Sequence, residues 1–109
     1  MVHDTVASLL RVAPKFTDKL DVSQIRNAED LLRVLPRQLS ADDITALVSL
    51  LPHDGGTAFG LNWTIVHAVE GAPLWPLWDA LTDPSNEWVR RFLIRLADAG
   101  LSPPLHRVN

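Results

Sequence analysis

The chain of 109 residues contains no cysteine and no long apolar run. The absence of cysteine excludes disulfide bonds, zinc sites built on thiolates and cysteine nucleophiles. No stretch approaches the roughly 18 apolar residues that span a membrane, and the N-terminus lacks the basic and apolar segments of a signal peptide. We therefore expect a soluble, cytoplasmic protein that does not contact a membrane.

Positive charge is missing from the whole middle of the chain. The 52 residues between Arg37 and Arg90 contain no Lys or Arg but seven acids, and they hold all four tryptophans. Charge steers association and buried aromatic side chains supply much of the affinity of an interface, so this composition favours a basic protein partner. Nucleic acid is disfavoured as a partner, because its phosphates are bound by Lys and Arg.

A local explanation competes with a binding role for these acids. Acidic side chains in the first turn of a helix stabilise it through capping and through the helix dipole. This explanation covers five of the acids, which lie in the first turn of a predicted helix or just before it: Asp42, Asp43, Asp54, Asp83 and Glu87. Only Glu70 and Asp79 fall outside this explanation, and both interpretations stay open.

Proline, glycine and capping residues divide the chain into short segments whose apolar residues recur at helical spacing. Helices are predicted over 2–13, from an N-cap at Asn27 to Pro36, from an N-cap at Ser40 with Asp43 to Pro52, over 58–70, over 74–81, and from 85–87 to Gly100. Residues 16–26 are too sparse in apolar positions to assign, and the β-branched residues within 58–70 leave a strand open there. The fold class is all-α: a short array of antiparallel helix pairs, HEAT-like or armadillo-like, or a small helical bundle. It forms one domain over 1–109, with 101–109 as an extended tail.

Candidate sites for metal or catalytic chemistry are sparse. The dipeptides His3-Asp4 and His53-Asp54 have the residue types of a metal-dependent hydrolase, but a metal site needs further ligands on facing helices. Trp63, His67 and Glu70 share one face of the predicted 58–70 helix, where His67 is either a core histidine or part of a contact surface. We predict no metal, no cofactor and no catalytic residue.

Two aromatic side chains and one group of arginines have alternative roles. Trp75 and Trp78 lie three residues apart in the predicted 74–81 helix, and they either fill gaps in the core or form an exposed hot spot beside Asp79. In the last helix, spacing predicts the ion pairs Glu87–Arg91 and Arg95–Asp98, which form a solvated charged face.

Three segments carry a resemblance to a known class of proteins: Gly-Leu-Asn-Trp-Thr-Ile-Val-His at 60–67, Ala-Pro-Leu-Trp-Pro-Leu at 72–77, and Asn-Glu-Trp-Val at 86–89. Together they resemble small helical bacterial proteins encoded beside polymorphic or contact-dependent growth-inhibition toxins. The resemblance covers roughly residues 40–100 and implies an immunity protein, which binds one cognate toxin domain and blocks its active site. The targets of such proteins are often nucleases with basic substrate grooves, which agrees with an acidic, aromatic face.

The sequence therefore predicts a non-enzymatic toxin inhibitor whose partner is the C-terminal domain of a cognate toxin. Charge and aromatic content select the partner-binding residues Asp54, Glu70, Trp75, Trp78, Asp79 and Asp83. A general helical adaptor or assembly subunit has the same features and is the first alternative. A small metal-dependent hydrolase is the second.

Overall fold

The computed structural model describes residues 2–103, which contain five α-helices and no β-strand. The helices are α1 (Asp4–Val12), α2 (Val22–Arg33), α3 (Ala41–Ser49), α4 (Leu61–Glu70) and α5 (Glu87–Asp98), with a short 3₁₀ turn at Trp78–Ala80 before α5. This confirms the all-α class and excludes the strand alternative for 58–70. No helix within residues 2–103 has the length and apolar character needed to cross a membrane.

The helices form a small bundle around one apolar core. Both α1 and α4 pack against α2 and against α3. Helix α5 contributes Trp88 and Phe92, which are among the largest fully buried side chains, together with Phe16 from the segment between α1 and α2. Because such large aromatic groups fill the centre, the core is built around α5 and the segment between α1 and α2.

The start of α3 follows the sequence prediction. The Ser40 hydroxyl accepts from the backbone N–H of Asp43, and the Asp43 carboxylate accepts from the backbone N–H of Ser40, which together form a capping box. The same carboxylate accepts a 2.7 Å hydrogen bond from the backbone N–H of His3, the N-cap residue of α1. Asp43 is only 4% exposed. Burial acts to raise the pKa of Asp43, but the hydrogen bonds from His3 and Ser40 outweigh it and the pKa is lowered.

The start of α2 differs from the sequence prediction. The helix begins at Val22, so Asn27 lies in its middle rather than at its N-cap. Asp21 is the N-cap residue: its side chain accepts from the Gln24 backbone N–H, and the Gln24 side chain accepts from that of Asp21. Because these two hydrogen bonds cap the helix at Asp21, α2 begins earlier in the chain than the apolar spacing indicates.

Two further predicted helices are shorter than expected. Helix α4 begins at Leu61 rather than at residue 58, because the backbone of Ala58 and Phe59 has positive φ and cannot continue a right-handed helix. The predicted helix over 74–81 is wrong: only the turn Trp78–Ala80 is helical. Pro76 has no backbone N–H to donate within a helix, which explains the late start.

Helix α5 matches its prediction at both ends. The Asn86 side chain accepts from the backbone N–H groups of Trp88 and Val89 at the start. Gly100, with φ of +80°, follows the last turn. Residues 101–103 continue without regular structure, and the rest of the predicted tail lies outside the described residues.

Candidate partner-binding surface

Four of the predicted binding residues lie in one long connection between α4 and α5, which we call the tryptophan loop (residues 71–86). Buried Ala72 and Leu81 attach this loop to the core, and the turn Trp78–Ala80 packs against α3. At its end the Asn86 side chain donates to the Leu51 carbonyl, which fixes the loop to the connection after α3. The loop is therefore held at three places without being a helix.

The apolar side chains of the tryptophan loop are only partly covered. Leu74 is 52% exposed, while Trp75 and Trp78 are half-buried against the core. The Trp75 ring lies 4.9 Å from the ring of Phe92, centroid to centroid, at an angle of 52°. Each tryptophan thus fills a gap beside the core and also keeps part of its surface in solvent.

Asp79 is the acid of the tryptophan loop without a structural role. Its side chain is exposed, and across residues 2–103 its carboxylate has no ion pair and no hydrogen bond. It follows Trp78 directly, so an aromatic surface and an uncompensated negative charge are adjacent in the same turn.

Asp83, by contrast, is engaged within the fold. Its carboxylate accepts from the Ser85 hydroxyl and from Nε2 of His53, the latter at 2.8 Å. The hydrogen bonds from Ser85 and then from His53 hold the pKa of Asp83 below its usual range. Asp54, next to His53, accepts a 2.9 Å hydrogen bond from the Gly56 N–H and so closes the predicted turn. These two acids lie at the base of the tryptophan loop.

Glu70 is engaged in an ion pair that spacing along the helix did not predict. Both its carboxylate oxygens accept from the Arg95 guanidinium, at 2.7 and 2.8 Å. Arg95 thus pairs with α4 instead of with Asp98, and the Glu70 carboxylate raises the pKa of Arg95. Glu70 and Trp75 line one open groove of about 410 Å³ beside Arg95 and Leu101.

The arginines of α5 compensate part of the acidity seen along the sequence. Arg90 pairs with Glu87 and lowers the pKa of that carboxyl, and Arg91 lies 3.9 Å from Glu87 as predicted. With Arg95 on Glu70, two of the seven acids in the segment without Lys or Arg are neutralised from α5. The packing of α5 therefore neutralises part of the acidity that is concentrated in this segment of the sequence.

The face of α4 that carries Trp63 and His67 does not place His67 in the core. His67 is exposed, so it is not a core histidine. The Trp63 ring meets the ring of Trp88 edge-on at 4.9 Å. Arg95 lies 5.9 Å from the Trp63 ring centre, and Arg91 lies 4.5 Å from that of Trp88. Both cations thus cover aromatic faces that join α4 to α5.

The histidine of each His-Asp dipeptide forms a hydrogen bond within the fold. Nδ1 of His3 accepts from the Thr5 N–H at the start of α1, and His53 binds Asp83. In the part of the chain that the structure describes, no group of three or more His, Asp or Glu side chains could hold a metal ion.

One exposed aromatic residue was missed by sequence reasoning. Phe59 falls within the helix predicted over 58–70, yet it precedes α4 and is 65% exposed. The one local signal is Gly60, since a glycine with positive φ is the N-cap residue of α4.

In comparisons with known proteins, the chain matches no protein family, no curated protein and no solved structure.

Proposed function

We propose that this protein binds a partner protein through its tryptophan loop and acts as an immunity protein, which neutralises a cognate bacterial toxin domain by covering its active site. The observation that carries the proposal is the exposed carboxylate of Asp79, which has no partner within residues 2–103, directly beside the partly exposed Trp78. The Asp79 carboxylate does not hold the tryptophan loop, and Trp78 packs against the core with only part of its side chain, beside the attachments at Ala72, Leu81 and Asn86.

The two side chains contribute to binding in different ways. An aromatic side chain that becomes fully buried at an interface is worth about 2 kcal/mol or more. An exposed charge at the rim changes mainly the association rate, by steering an oppositely charged partner. Trp78 is therefore the proposed anchor, and Asp79 steers a basic toxin surface such as a nuclease groove.

The remaining predicted residues extend this surface. Trp75 and Glu70 line the neighbouring groove, while Asp54 and Asp83 lie at the base of the tryptophan loop. The resemblance of segments 60–67, 72–77 and 86–89 to immunity proteins of contact-dependent growth inhibition supports the same assignment. The proposal is for a non-enzymatic inhibitor that acts in the bacterial cytoplasm, where such a toxin reaches its substrate.

The test first searches the genes beside this one for a toxin-like protein, whose absence would contradict the immunity role. Its C-terminal domain is expressed in bacteria with and without the native chain, and survival is scored. Binding rates of the purified proteins are then measured by stopped-flow at several salt concentrations. We expect protection by the native chain, faster dissociation for Trp78→Ala and slower association at low salt for Asp79→Asn.

Matched controls separate the surface from the fold. Ile94→Ala removes an apolar side chain that is 61% exposed on α5, and Asp4→Asn removes an exposed acid from α1. Both variants should protect and bind like the native chain. Absence of protection would contradict the immunity role, and association that does not depend on salt would contradict the steering role of Asp79.

A further inference from the structure

The turn before α4 has an unusual backbone. Three successive residues have positive φ: Ala58 at +49°, Phe59 at +57° and Gly60 at +90°. Glycine adopts this region freely, whereas a residue with a Cβ is strained there, and a bulky one is a true outlier. The strain at Ala58 and Phe59 must therefore be offset by other interactions.

Polar bonds at both ends of the turn impose this conformation. Asp18 accepts a 3.0 Å hydrogen bond from the Ala58 N–H. The Thr57 carbonyl accepts from the N–H groups of Gly60 and Asn62. Ala58 itself is fully buried, so its position is explained by the core. The fold thus requires the turn, but it does not require a phenylalanine at position 59.

Packing of the Phe59 side chain does little to offset the strain of its backbone. Its side chain is 65% exposed, so most of its apolar surface stays in water. A glycine at this position would have the same φ without strain. Residues held in strained conformations cluster at binding sites, where the surrounding structure fixes a side chain in place.

The Phe59 side chain borders an open groove of about 260 Å³. The other lining residues come from the second half of α2 and from the start of α4: Glu29, Leu32, Arg33, Gly60, Leu61 and Thr64. This volume is below the usual 300–1,000 Å³ of a small-molecule pocket. It suits side chains of a bound protein better than a cofactor, and none of its lining residues belongs to the tryptophan loop.

The uncompensated charge at this groove is negative. Arg33 is paired with Asp30 at 3.1 Å, so its charge is balanced within α2. Glu29 is exposed and, within residues 2–103, has no ion pair. A complementary partner therefore carries Lys or Arg next to an apolar side chain.

We propose that Phe59 and this groove form a second docking surface, which binds a protein segment that inserts one apolar side chain against Phe59 and Leu32 and places a basic side chain on Glu29. The fixed left-handed turn holds Phe59 in its binding position before the partner arrives, which lowers the entropy cost of binding. This proposal does not depend on the tryptophan loop or on the toxin-binding role.

The test uses a phage library of random 12-residue peptides, selected against the purified native chain. We expect the enriched peptides to combine a large apolar residue with a neighbouring Lys or Arg. An enriched peptide is then synthesised and titrated against variants. Phe59→Ala should weaken binding about tenfold or more, as expected for a hot-spot side chain. Glu29→Gln should weaken it less, with a smaller salt dependence, while Ile94→Ala should bind like the native chain.

A stability measurement distinguishes a binding role of Phe59 from a structural one. Phe59→Gly relieves the backbone strain and should melt at the native temperature or above it, while peptide binding is lost. A melting point several degrees lower would assign Phe59 to the fold and overturn the proposal. Acidic peptides, no enriched peptide, or equal binding to Phe59→Ala would also overturn it. Self-association that depends on Phe59, measured by sedimentation, would instead assign the groove to a second copy of this chain.

Discussion

The side-chain amide of Asn62 connects three segments of the core. Its side chain is fully buried in α4. Its Nδ2 donates one hydrogen to the Phe16 carbonyl at 2.9 Å and the other to the Gly56 carbonyl at 2.8 Å. The Gly56 carbonyl also accepts from Nε1 of Trp88. One amide group therefore joins α4, the segment after α1 and the turn that leads to Phe59.

The change Asn62→Asp keeps the shape of the side chain and removes both donors. The Phe16 carbonyl then loses its side-chain donor in a buried place, which costs about 1–3 kcal/mol. The Gly56 carbonyl keeps the Trp88 bond, so the second loss is nearer to about 1 kcal/mol. The sum of about 2–4 kcal/mol is a large part of the 5–15 kcal/mol by which small proteins are stable.

The introduced carboxyl also makes stability depend on pH. Burial among carbonyl oxygens disfavours its charged form, so its pKa in the folded protein lies above the unfolded value of about 3.9. A raised pKa means that stability is greatest below the unfolded pKa and falls as the pH rises through the folded pKa. The protonated carboxyl can again donate one hydrogen bond, so the variant should recover part of its loss in acid.

Urea unfolding followed by tryptophan fluorescence measures both effects, at pH 5 and at pH 8. Asn62→Leu is the control, because it loses the same donors but introduces no titrating group. We expect the cost of Asn62→Asp to grow between the two pH values while the cost of Asn62→Leu stays constant. A cost below about 1 kcal/mol, or equal pH dependence in the two variants, would refute this account of the buried amide.

Two further predictions concern a helix cap and a glycine. Asp43→Ala removes a charged acceptor from the N–H groups of His3 and Ser40 and should cost about 2–4 kcal/mol in urea unfolding at pH 6. Since its pKa is lowered from 3.8, this contribution is lost as the pH falls through the folded pKa, so an equal cost in strong acid would contradict the cause. Gly55→Ala should lower the melting temperature more than Gly100→Ala: both have positive φ, but only at Gly55 would a Cβ lie 2.7 Å from the Glu87 side chain. Equal losses would show that φ alone matters.

Local signals in the sequence were sufficient for much of the helical framework. The capping box at Ser40 and Asp43, the start of the last helix within 85–87 and the glycine after it depend on near neighbours in the chain, and the structure has each of them where it was predicted. Their donors and acceptors are near neighbours along the chain, so no knowledge of packing is required. The missed start of α2 is of the same kind, since Asp21 and Gln24 are also three residues apart.

The surface was decided by contacts between distant parts of the chain. The ion pair of Arg95 with Glu70 spans 25 residues, and the hydrogen bond that Asp18 accepts from the Ala58 N–H at the strained turn spans 40. Spacing along one helix cannot choose between Asp98 and Glu70 as the partner of Arg95, because that choice depends on where α4 packs. Composition and caps thus determined an all-α protein with an acidic middle segment. Only the packing of α4 and α5 decided which acids are neutralised, and only the turn before α4 decided that Phe59 faces solvent.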